Sequence, residues 1–267
     1  MKLATYNIYK SELAMPQRKK HIIETIKNVD ADIIVLQEVT NASFFNELVS
    51  LLTYPYYHFT QHSKVVVDQE PDRKYEGLAI FSKSEISSVE TLDYMMVCTV
   101  KHHHHYIALA NVHLPWHSVL AQEKCVLNLN DQIMKPDAHY RFILGDFNCN
   151  EHSSTHYFLK GLRSLNNQEV KHYWTDLALV AQEFLATPLE VTIDLKHNPR
   201  WRNKTVMDNS ARVDCIFMHD CFPKEYPSLQ SFELFGKEVH ENNFCSSDHY
   251  GVCATIRMPY EIHTSNI

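Results

Sequence analysis

The stretch Tyr-Arg-Phe-Ile-Leu-Gly-Asp-Phe-Asn at residues 140–148 carries the strongest indication of this chain's fold. Its apolar part, Tyr140–Leu144, runs directly into a glycine and then into two polar side chains, Asp146 and Asn148. Short runs rich in Ile, Phe and Tyr that end at turn residues are typical of β-strands buried on both faces. In layered α/β proteins, ligands bind beyond the ends of such strands. We therefore predict a buried strand that ends in a functional loop.

Six further apolar runs of the same kind predict further strands: Leu3–Tyr6, Ile33–Leu36, Leu78–Phe81, Tyr106–Val112, Val213–Met218 and Gly251–Ile256. Four longer segments have apolar residues at helical spacing: Arg18–Val29, Phe44–Leu52, Leu120–Met134 and His156–Leu165. Strands and helices alternate at first and several strands then follow in succession, which predicts an α/β (α+β) fold with an antiparallel component. Because no Pro/Gly/Ser-rich linker divides the chain, we expect residues 1–267 to form a single domain.

The composition excludes several classes of protein. Of the 267 residues, 45% are hydrophobic and 21% are charged, as in an ordinary folded protein. The formal net charge of −7 disfavours a protein that coats nucleic acid through bulk positive charge. The seven cysteines show no CxxC spacing, which argues against a zinc ribbon or a redox motif. Neither a signal-peptide pattern nor an apolar stretch of about 20 residues occurs, so we expect a soluble cytoplasmic protein.

Four consecutive histidines, His102–His105, lie between the strand-like segment Tyr94–Lys101 and the run Tyr106–Val112. Two strands joined by a short polar segment predict a hairpin. A metal site needs defined geometry and outer partners as well as imidazoles. We therefore interpret this run as a hairpin turn that carries an exposed imidazole cluster.

Polar residues follow or interrupt the predicted strands at Asn7, Glu38, His113, Asp146, Asn148, Asp214, Asp248 and His249. A single Asp or Asn after a strand is more often a turn former or a helix cap than a ligand. Asp214 differs, because a carboxylate between Val213 and Cys215 is expected to be buried and therefore to need a partner. If these strand ends converge, the mixture of carboxylates and carboxamides favours a hard cation, Mg²⁺ or Mn²⁺, over Zn²⁺.

Seven short motifs occur along the chain in this order: Thr5-Tyr6-Asn7, Leu36-Gln37-Glu38-Val39, residues 75–82, Asn111-Val112-His113-Leu114, Gly145-Asp146-Phe147-Asn148, residues 212–217 and Ser247-Asp248-His249. Each motif alone has little specificity, but the ordered set extends over most of the chain. Together the motifs resemble those of the endonuclease/exonuclease/phosphatase superfamily, which has a deoxyribonuclease I-like fold. The resemblance implies a four-layered α/β sandwich, in which two packed mixed β-sheets are flanked by helices.

The resemblance implies roles for the acidic and carboxamide residues of these motifs. Glu38 would be the principal metal ligand, with Asn7 and Asp248 close to the ion or its waters. Asp146 would orient or deprotonate the attacking water, and Asn148 would donate a hydrogen bond to a phosphate oxygen. The implied cofactor is Mg²⁺ or Mn²⁺.

Two histidines and their neighbours complete the implied site. His249 would contact the scissile phosphate and be held by Asp214, a pairing that fixes the tautomer and raises the basicity of an imidazole. His113 would be a second imidazole on the phosphate, with Glu76 as its orienting partner. Tyr75 matches a phosphate-contacting tyrosine of the abasic-site nucleases.

The implied function is that of a divalent-metal-dependent phosphoesterase, in the first place a nuclease-like phosphodiesterase. The chain reads Ile8-Tyr9 after Asn7, whereas abasic-site nucleases carry an aspartate two residues beyond the asparagine. Together with His113, this departure disfavours a base-excision nuclease. The alternatives are a sphingomyelinase or a phosphatase directed at phospholipids or inositol phosphates. A catalytically inactive binding module, the alternative from another class, predicts missing motif residues, but the main set is complete.

The partner is a phosphoester substrate whose chemical class the motifs leave open. A nuclease needs a basic groove, for which the candidates are Arg73-Lys74, Lys83, Lys196, Arg200, Arg202 and Lys204, with Trp201 available to stack on a base. A lipid-directed enzyme needs an exposed apolar loop, for which the candidates are Pro115-Trp116 and Phe222-Pro223. Peripheral membrane contact is not otherwise indicated, and no pattern predicts an oligomer, so we expect a monomer.

Overall fold

The computed structural model describes residues 1–10, 17–171, 173–201, 209–241 and 243–259. The strands in these ranges are β1 Lys2–Asn7, β2 Ile33–Val39, β3 Tyr56–Gln61, β4 Gly77–Ser82, β5 Glu85–Leu92, β6 Met95–His102, β7 His105–His113, β8 Tyr140–Asp146, β9 Trp174–Asp176, β10 Asp214–His219, β11 Ser228–Phe235 and β12 Gly251–Arg257. The helices are α1 Gln17–Val29, α2 Ala42–Leu51, α3 Lys64–Gln69, α4 Val119–Gln132, α5 Ser154–Leu159 and α6 Leu177–Leu185, and a 3₁₀ helix spans Pro71–Tyr75.

The strands form two six-stranded mixed sheets. The strand order is β11-β12-β1-β2-β4-β3 in the first sheet and β5-β6-β7-β8-β10-β9 in the second. Each sheet contains one parallel pair, β1 with β2 and β7 with β8, and the other neighbours are antiparallel. The predicted fold class, two packed mixed sheets flanked by helices, is therefore confirmed.

Three apolar cores hold these layers together. Between the sheets, side chains such as Val35 and Ile80 of the first sheet pack with Leu109 and Phe142 of the second. On the outer face of the first sheet, α1 and α2 bury their apolar stripes, and α4 and α5 do the same on the second sheet. Burial of apolar surface is the main favourable term in folding, so each sheet is stabilised from both faces. Among the described residues, no helix is both long and apolar enough to span a bilayer.

The seven apolar runs predicted as strands are all strands, but one predicted helix is wrong at its end. The helix expected over His156–Leu165 is α5, which ends at Leu159. Gly161 follows with a φ of +71° and donates its backbone N–H to the Phe158 carbonyl, a geometry that ends helices. The apolar spacing continues beyond this point, which is why periodicity alone overestimates the helix.

The histidine run forms the predicted hairpin, but the predicted exposed imidazole cluster is wrong for half of it. His102 and His105 are the last paired residues of β6 and β7, and His103 and His104 form the turn. His102 and His105 are buried, and the His105 Nε2 atom lies 2.9 Å from the Pro259 carbonyl oxygen. Their position in the ladder turns both side chains towards packed neighbours, and the two turn residues alone are exposed.

The two parallel pairs place their carboxyl ends at one edge of the sandwich. Asn7 ends β1, His113 ends β7 and Asp146 ends β8, while Glu38 is the penultimate residue of β2. The antiparallel neighbours β4, β10 and β12 begin at the same edge, which brings the residues just before or at their starts to it as well. The sheet topology therefore gathers residues that are far apart in the sequence.

The glycine in the opening stretch, Gly145, is required by close backbone contact. Its φ is +145°, and an added Cβ would lie 2.0 Å from the carbonyl oxygen of Val112 on the parallel strand β7. We expect Gly145→Ala to lower the free energy of unfolding by about 4 kcal/mol or more, because backbone atoms must move. Urea unfolding would measure this. Gly161→Ala is the control, with an expected loss of about 1–2 kcal/mol, since only its positive φ is strained. Equal losses in the two variants would contradict the steric argument.

Candidate functional site

Asp146 lies at the centre of the polar cluster. Its Oδ2 atom accepts a hydrogen bond from Asn7 Nδ2 at 3.0 Å and lies 3.6 Å from His113 Nε2 and 3.9 Å from His249 Nε2. Its Oδ1 atom accepts the backbone N–H of Asn148 at 2.8 Å. Four of the predicted site residues therefore surround one buried carboxylate.

Glu38 occupies a distorted position in β2. The pairing of β2 with β4 shifts register between Leu36 and Val39, and Glu38 has a φ of +59°. A bulge of this kind re-aims a side chain, and a non-glycine residue in the left-handed region stores strain that recurs at functional sites. The Glu38 carboxylate accepts hydrogen bonds from Asn7 Nδ2 at 3.1 Å and from the backbone N–H of Lys10 at 2.9 Å.

The last motif is joined to the first motif and to Asp214. His249 Nδ1 lies 2.8 Å from Asp214 Oδ2, and both side chains are buried. Ser247 Oγ donates a hydrogen bond to the Asn7 carbonyl oxygen and accepts one from the backbone N–H of His249. These contacts hold the His249 ring beside Asp146. Asp248 is also buried at this edge.

The remaining predicted residues differ in how closely they approach the cluster. His113 Nδ1 lies 3.6 Å from Glu76 Oε1. Asn148 donates its side-chain N–H to the Leu114 carbonyl oxygen at 2.9 Å and has a φ of +49°. Tyr75 is exposed, and its ring faces the ammonium of Lys74 at 5.2 Å. Among the described residues, no hydrogen bond connects Tyr75 to the cluster.

Burial and mutual repulsion perturb the acidic groups. Burial, followed by the charges of Glu76 and Asp248, raises the pKa of Glu38 to about 7. Burial and the charge of Asp214 raise the pKa of Asp146 to about 6, against the opposing effect of His249. Like charges in a buried space disfavour ionisation in this way.

The two imidazoles are perturbed in opposite directions. Burial alone would lower the pKa of His249, but the carboxylates of Asp214 and Asp146 raise it well above its ordinary value. Burial, followed by the charge of Arg73, holds the pKa of His113 well below its usual range. The site therefore combines a protonated imidazole with a neutral one at neutral pH.

The donor set suits a hard divalent cation. Glu38 and Asp248 offer carboxylate oxygens, the kind of ligand that Mg²⁺ and Mn²⁺ prefer, while Asn7 turns its Nδ2 towards Glu38 and Asp146 and its Oδ1 towards the backbone N–H of Tyr9. Burial, followed by the charges of Glu76 and Asp248, raises the pKa of Glu38, and a cation beside these carboxylates would favour their ionised forms. The residues present therefore fit the predicted cofactor.

Several buried polar side chains that support the site were not predicted from the sequence. Gln37 Nε2 donates to Asn111 Oδ1 at 2.7 Å, and Asn111 Nδ2 donates to the carbonyl oxygens of Leu36 and Ala79. These bonds join the first sheet to the second directly behind Glu38. The only available signal was that Gln37 and Asn111 are polar residues within otherwise apolar strands.

The structure corrects the basic-groove hypothesis at two positions. Arg73 is buried, forms an ion pair with Glu70 and donates to the carbonyl oxygens of His113 and Leu114. Lys83 follows β4 at the opposite edge of the sheet and pairs with Asp30 at 2.7 Å. Neither side chain is available to a substrate at the site. Arg202 and Lys204 lie outside the described residues.

A loop before β10 does border the cluster. The guanidinium of Arg200 lies over the Tyr9 ring at 4.5 Å, and Trp201 Nε1 donates to the Asp248 carbonyl oxygen at 3.0 Å. Asn198 Nδ2 donates to the Ser247 carbonyl oxygen. Of the predicted basic candidates, Arg200 thus lies beside the first and last motifs.

The two apolar loops predicted as membrane contacts lie at opposite edges. Trp116 is 60% exposed and follows β7, whose end carries His113. Phe222 is 72% exposed but follows His219, the far end of β10 from Asp214. Phe222-Pro223 therefore lies away from the site, and Pro115-Trp116 is the predicted apolar loop at the same edge as the site.

Comparisons with known proteins show the family of the chain and its fold. The model of a family described as the endonuclease/exonuclease/phosphatase family matches residues 4–249. The structure of D. rerio TDP2 complexed with a single-strand DNA product is similar, with a TM-score of 0.75, 17% sequence identity and coverage of 97% of this chain and 99% of that one. Truncated Caenorhabditis elegans TDP2 matches with a TM-score of 0.70, 18% identity and coverage of 96% and 97%. A family protein from Bacteroides thetaiotaomicron gives a TM-score of 0.69, 14% identity and coverage of 100% and 98%. At these identities the structural likeness shows a shared fold.

Proposed function

The chain belongs to the endonuclease/exonuclease/phosphatase family, and from this premise we propose that it is a Mg²⁺- or Mn²⁺-dependent phosphoesterase that hydrolyses a phosphodiester by attack of water. One observation carries the proposal. Asp146 lies within 4 Å of Asn7, His113 and His249, at the edge where Glu38 and Asp248 are also buried. Such a group of acids, imidazoles and carboxamides around one point is what metal-assisted hydrolysis needs.

In this proposal Asp146 receives the proton of the attacking water. Its raised pKa of about 6 suits a general base that works near neutral pH. Asn7 donates to both Asp146 and Glu38 and so fixes the base relative to the metal-binding carboxylate. Glu38, with Asp248 nearby, would hold the cation, which would supply positive charge to the phosphoryl oxygens and to the leaving alkoxide.

The imidazoles act on the phosphoryl group. Asp214 holds His249 in its protonated form, and the Nε2–H of His249 donates to a non-bridging oxygen of the phosphate. His113 donates from Nε2 in its neutral form, in the tautomer that leaves Nδ1 without a proton. Fixed donors of this kind stabilise charge that develops in the transition state without the cost of reorganisation. Asn148 adds a third donor to the phosphate, and the exposed Tyr75 contacts the substrate at the rim.

Single-stranded nucleic acid is the first substrate class that we propose. The D. rerio TDP2 structure contains a single-strand DNA product, and its fold is shared with this chain. The cationic and aromatic pair of Arg200 and Tyr9 borders the site, as expected where a polyanion enters. The net charge of −7 limits this contact to a local one.

A lipid phosphodiester is the second candidate, and one observation favours it. Trp116, Val119 and Leu120 are all exposed in the segment that follows the His113 strand. Aromatic and aliphatic side chains of this kind enter the interfacial region of a bilayer. The segment 114–122 contains no lysine or arginine, so zwitterionic vesicles are the appropriate test surface.

A phosphoester panel tests the proposal. The panel holds single-stranded DNA, bis-p-nitrophenyl phosphate, an inositol phosphate and sphingomyelin vesicles, each with Mg²⁺, with Mn²⁺ and with EDTA. We expect turnover of at least one phosphodiester with Mg²⁺ or Mn²⁺, abolished by EDTA and restored by added metal. Metal binding without turnover of any member would favour the inactive binding module instead. Turnover that EDTA does not diminish would contradict the metal-dependent mechanism.

A further inference from the structure

The segment that follows β7 is held in place by buried side chains. Arg73 Nη1 donates to the His113 carbonyl oxygen at 3.1 Å, and its Nη2 atom donates to that of Leu114 at 2.9 Å. Gln122 Nε2 donates to the Pro115 carbonyl oxygen at 2.7 Å. Both donor residues are buried. Three consecutive carbonyl groups are therefore fixed by side chains from outside the segment.

Glu70 fixes the next residue, Trp116. Glu70 Oε1 accepts the backbone N–H of Trp116 at 3.0 Å and also contacts His117 Nδ1. The other oxygen of this buried carboxylate forms an ion pair with Arg73. Hydrogen bonds to an ionised carboxylate are stronger than those between neutral groups. The backbone of Trp116 is therefore tied to the same arginine that holds the two carbonyl groups before it.

The indole of Trp116 is exposed although its backbone is fixed. The residue is 60% exposed, and the ring of His117 meets it edge to face with the centroids 6.3 Å apart. Exposure alone is ordinary for a surface residue. Trp116 differs because its backbone is already ordered, so a ligand that contacts the ring pays little conformational entropy.

Trp116 also lies close to the place where the phosphate would bind. It is three residues beyond His113, so the two Cα atoms are at most about 11 Å apart. This reach covers the span from a phosphate beside His113 to the base of an adjoining nucleotide. Gln122 Nε2 donates in addition to the Asn148 carbonyl oxygen at 3.0 Å. The Trp116 segment and a proposed phosphate donor thus share one support.

A flat, uncharged ligand group suits this position. The segment 114–122 contains no Asp, Glu, Lys or Arg, so it offers a phosphate no strong Coulombic contact. An indole instead stacks on the face of a nucleobase, a contact that every base can make. We propose that Trp116 is a specificity-determining residue that stacks on a base next to the scissile phosphate, and that Glu70 is the residue that positions it. This inference rests on the proposed hydrolysis of nucleic acid.

The fixed backbone favours a base over a bilayer as the partner of Trp116. Entry into a bilayer needs only apolar surface, which Val119 and Leu120 would provide beside the indole. Bonds that fix one ring relative to His113 instead serve a ligand of defined geometry. The variant Trp116→Leu separates the two partners, because leucine enters a bilayer but does not stack on a base.

Kinetics on dinucleotides test the stack. The substrates are thymidylyl-thymidine and two analogues, each with one base replaced by hydrogen, in Mg²⁺. On the full dinucleotide we expect Trp116→Ala to raise KM roughly 5- to 100-fold with kcat nearly unchanged, as for the loss of one base–aromatic stack. Trp116→Phe should stay close to the parent, and Trp116→Leu should resemble Trp116→Ala. On the analogue that lacks the stacked base, Trp116→Ala and the parent should have equal KM values.

Glu70→Gln tests the positioning role. We expect it to raise KM on the full dinucleotide by a similar factor, and to raise it no further in a Trp116→Ala background. Losses that add in the double variant would overturn the role of Glu70. In the parent, slow hydrogen exchange of the Trp116 amide checks the bond to Glu70 without any variant, and fast exchange would overturn it. Phe222→Ala is the matched control, an exposed aromatic residue at the opposite edge, and should behave like the parent.

Binding without metal separates the stack from hydrolysis. In EDTA, fluorescence anisotropy compares a labelled oligothymidylate with an abasic strand of the same length. We expect the parent to prefer the oligothymidylate, and Trp116→Ala to reduce that preference roughly 5-fold or more. This result without turnover of any phosphodiester would support the stack and contradict the hydrolysis. Turnover of the full dinucleotide with equal KM in the parent and in Trp116→Ala, or parent-like KM in Trp116→Leu, would overturn the stack and leave the hydrolysis intact.

Discussion

Asp146→Asn is expected to reduce kcat/KM on the best phosphodiester substrate by roughly 10³- to 10⁵-fold, the range seen when a member of a catalytic set is removed. The asparagine keeps the shape of the side chain, but it cannot take the proton of water. It also turns an acceptor of the Asn7 amide into a group with a donor of its own, at the centre of the cluster. Steady-state kinetics with saturating Mg²⁺ would measure the effect.

A second variant, Glu38→Gln, distinguishes the proposed role of Glu38 as a metal ligand from that of Asp146 as a general base. We expect a similar loss of activity together with a large rise in the Mg²⁺ concentration needed for half-maximal rate, whereas Asp146→Asn should leave that concentration nearly unchanged. Asp137→Asn is the matched control. Asp137 is exposed and lies just before β8, the strand that ends at Asp146, and so at the opposite edge of the sheet. Turnover at the parent rate in Glu38→Gln and Asp146→Asn would refute the assignment of the site.

Asp214→Asn is expected to lower kcat/KM by roughly 10²- to 10⁴-fold, by analogy with other carboxylates that orient a catalytic imidazole. Asp214 Oδ2 lies 2.8 Å from His249 Nδ1, and its charge is the main influence that raises the pKa of His249 against burial. Without that charge the pKa of His249 falls, and the phosphate loses a protonated donor. NMR titration of the His249 ring would follow the change, which must be downward.

Burial of Asp214 requires a control for stability. Asp176 is also buried, pairs with Arg212 at 2.8 Å and lies on β9, next to β10 in the same sheet. Asp176→Asn should lower the melting temperature, as expected when one partner of a buried ion pair is removed. It should nevertheless retain the specific activity of the folded protein. Equal losses of specific activity in both variants would mean that Asp214 is a structural residue only.

The strands that the sequence reveals are those buried on both faces. Ile33–Leu36 and Leu78–Phe81 are continuous apolar runs because helices cover one face of the first sheet and the second sheet covers the other. The strands β5 and β11 were not predicted. Both lie at sheet edges, and their sequences mix serines and glutamates with apolar residues. Periodicity reports burial, so it identifies the centre of a sheet better than its margins.

The polar positions of the site were readable as strand ends, but their geometry was not. The sequence around Glu38 does not predict the β-bulge or the positive φ of this residue. β3, the strand before His62, was not predicted from the sequence. Arg73 was predicted to contribute to a basic groove, but its side chain is buried. These features depend on which loops meet in space, and pairwise packing of distant segments leaves no local pattern.

The pairing of β1 with β12 has a consequence for synthesis of the protein. Of the described strands, β1 is the first to leave the ribosome and β12 the last, yet they are neighbours through pairs such as Leu3 with Ala254. Until β12 emerges, a growing chain keeps one side of β1 open, a state prone to non-native strand pairing. The carbonyl oxygen of Asn7 likewise has no hydrogen bond from Ser247 until Ser247 has been synthesised. We expect the nascent chain to assemble the candidate site late, after β12 has been translated.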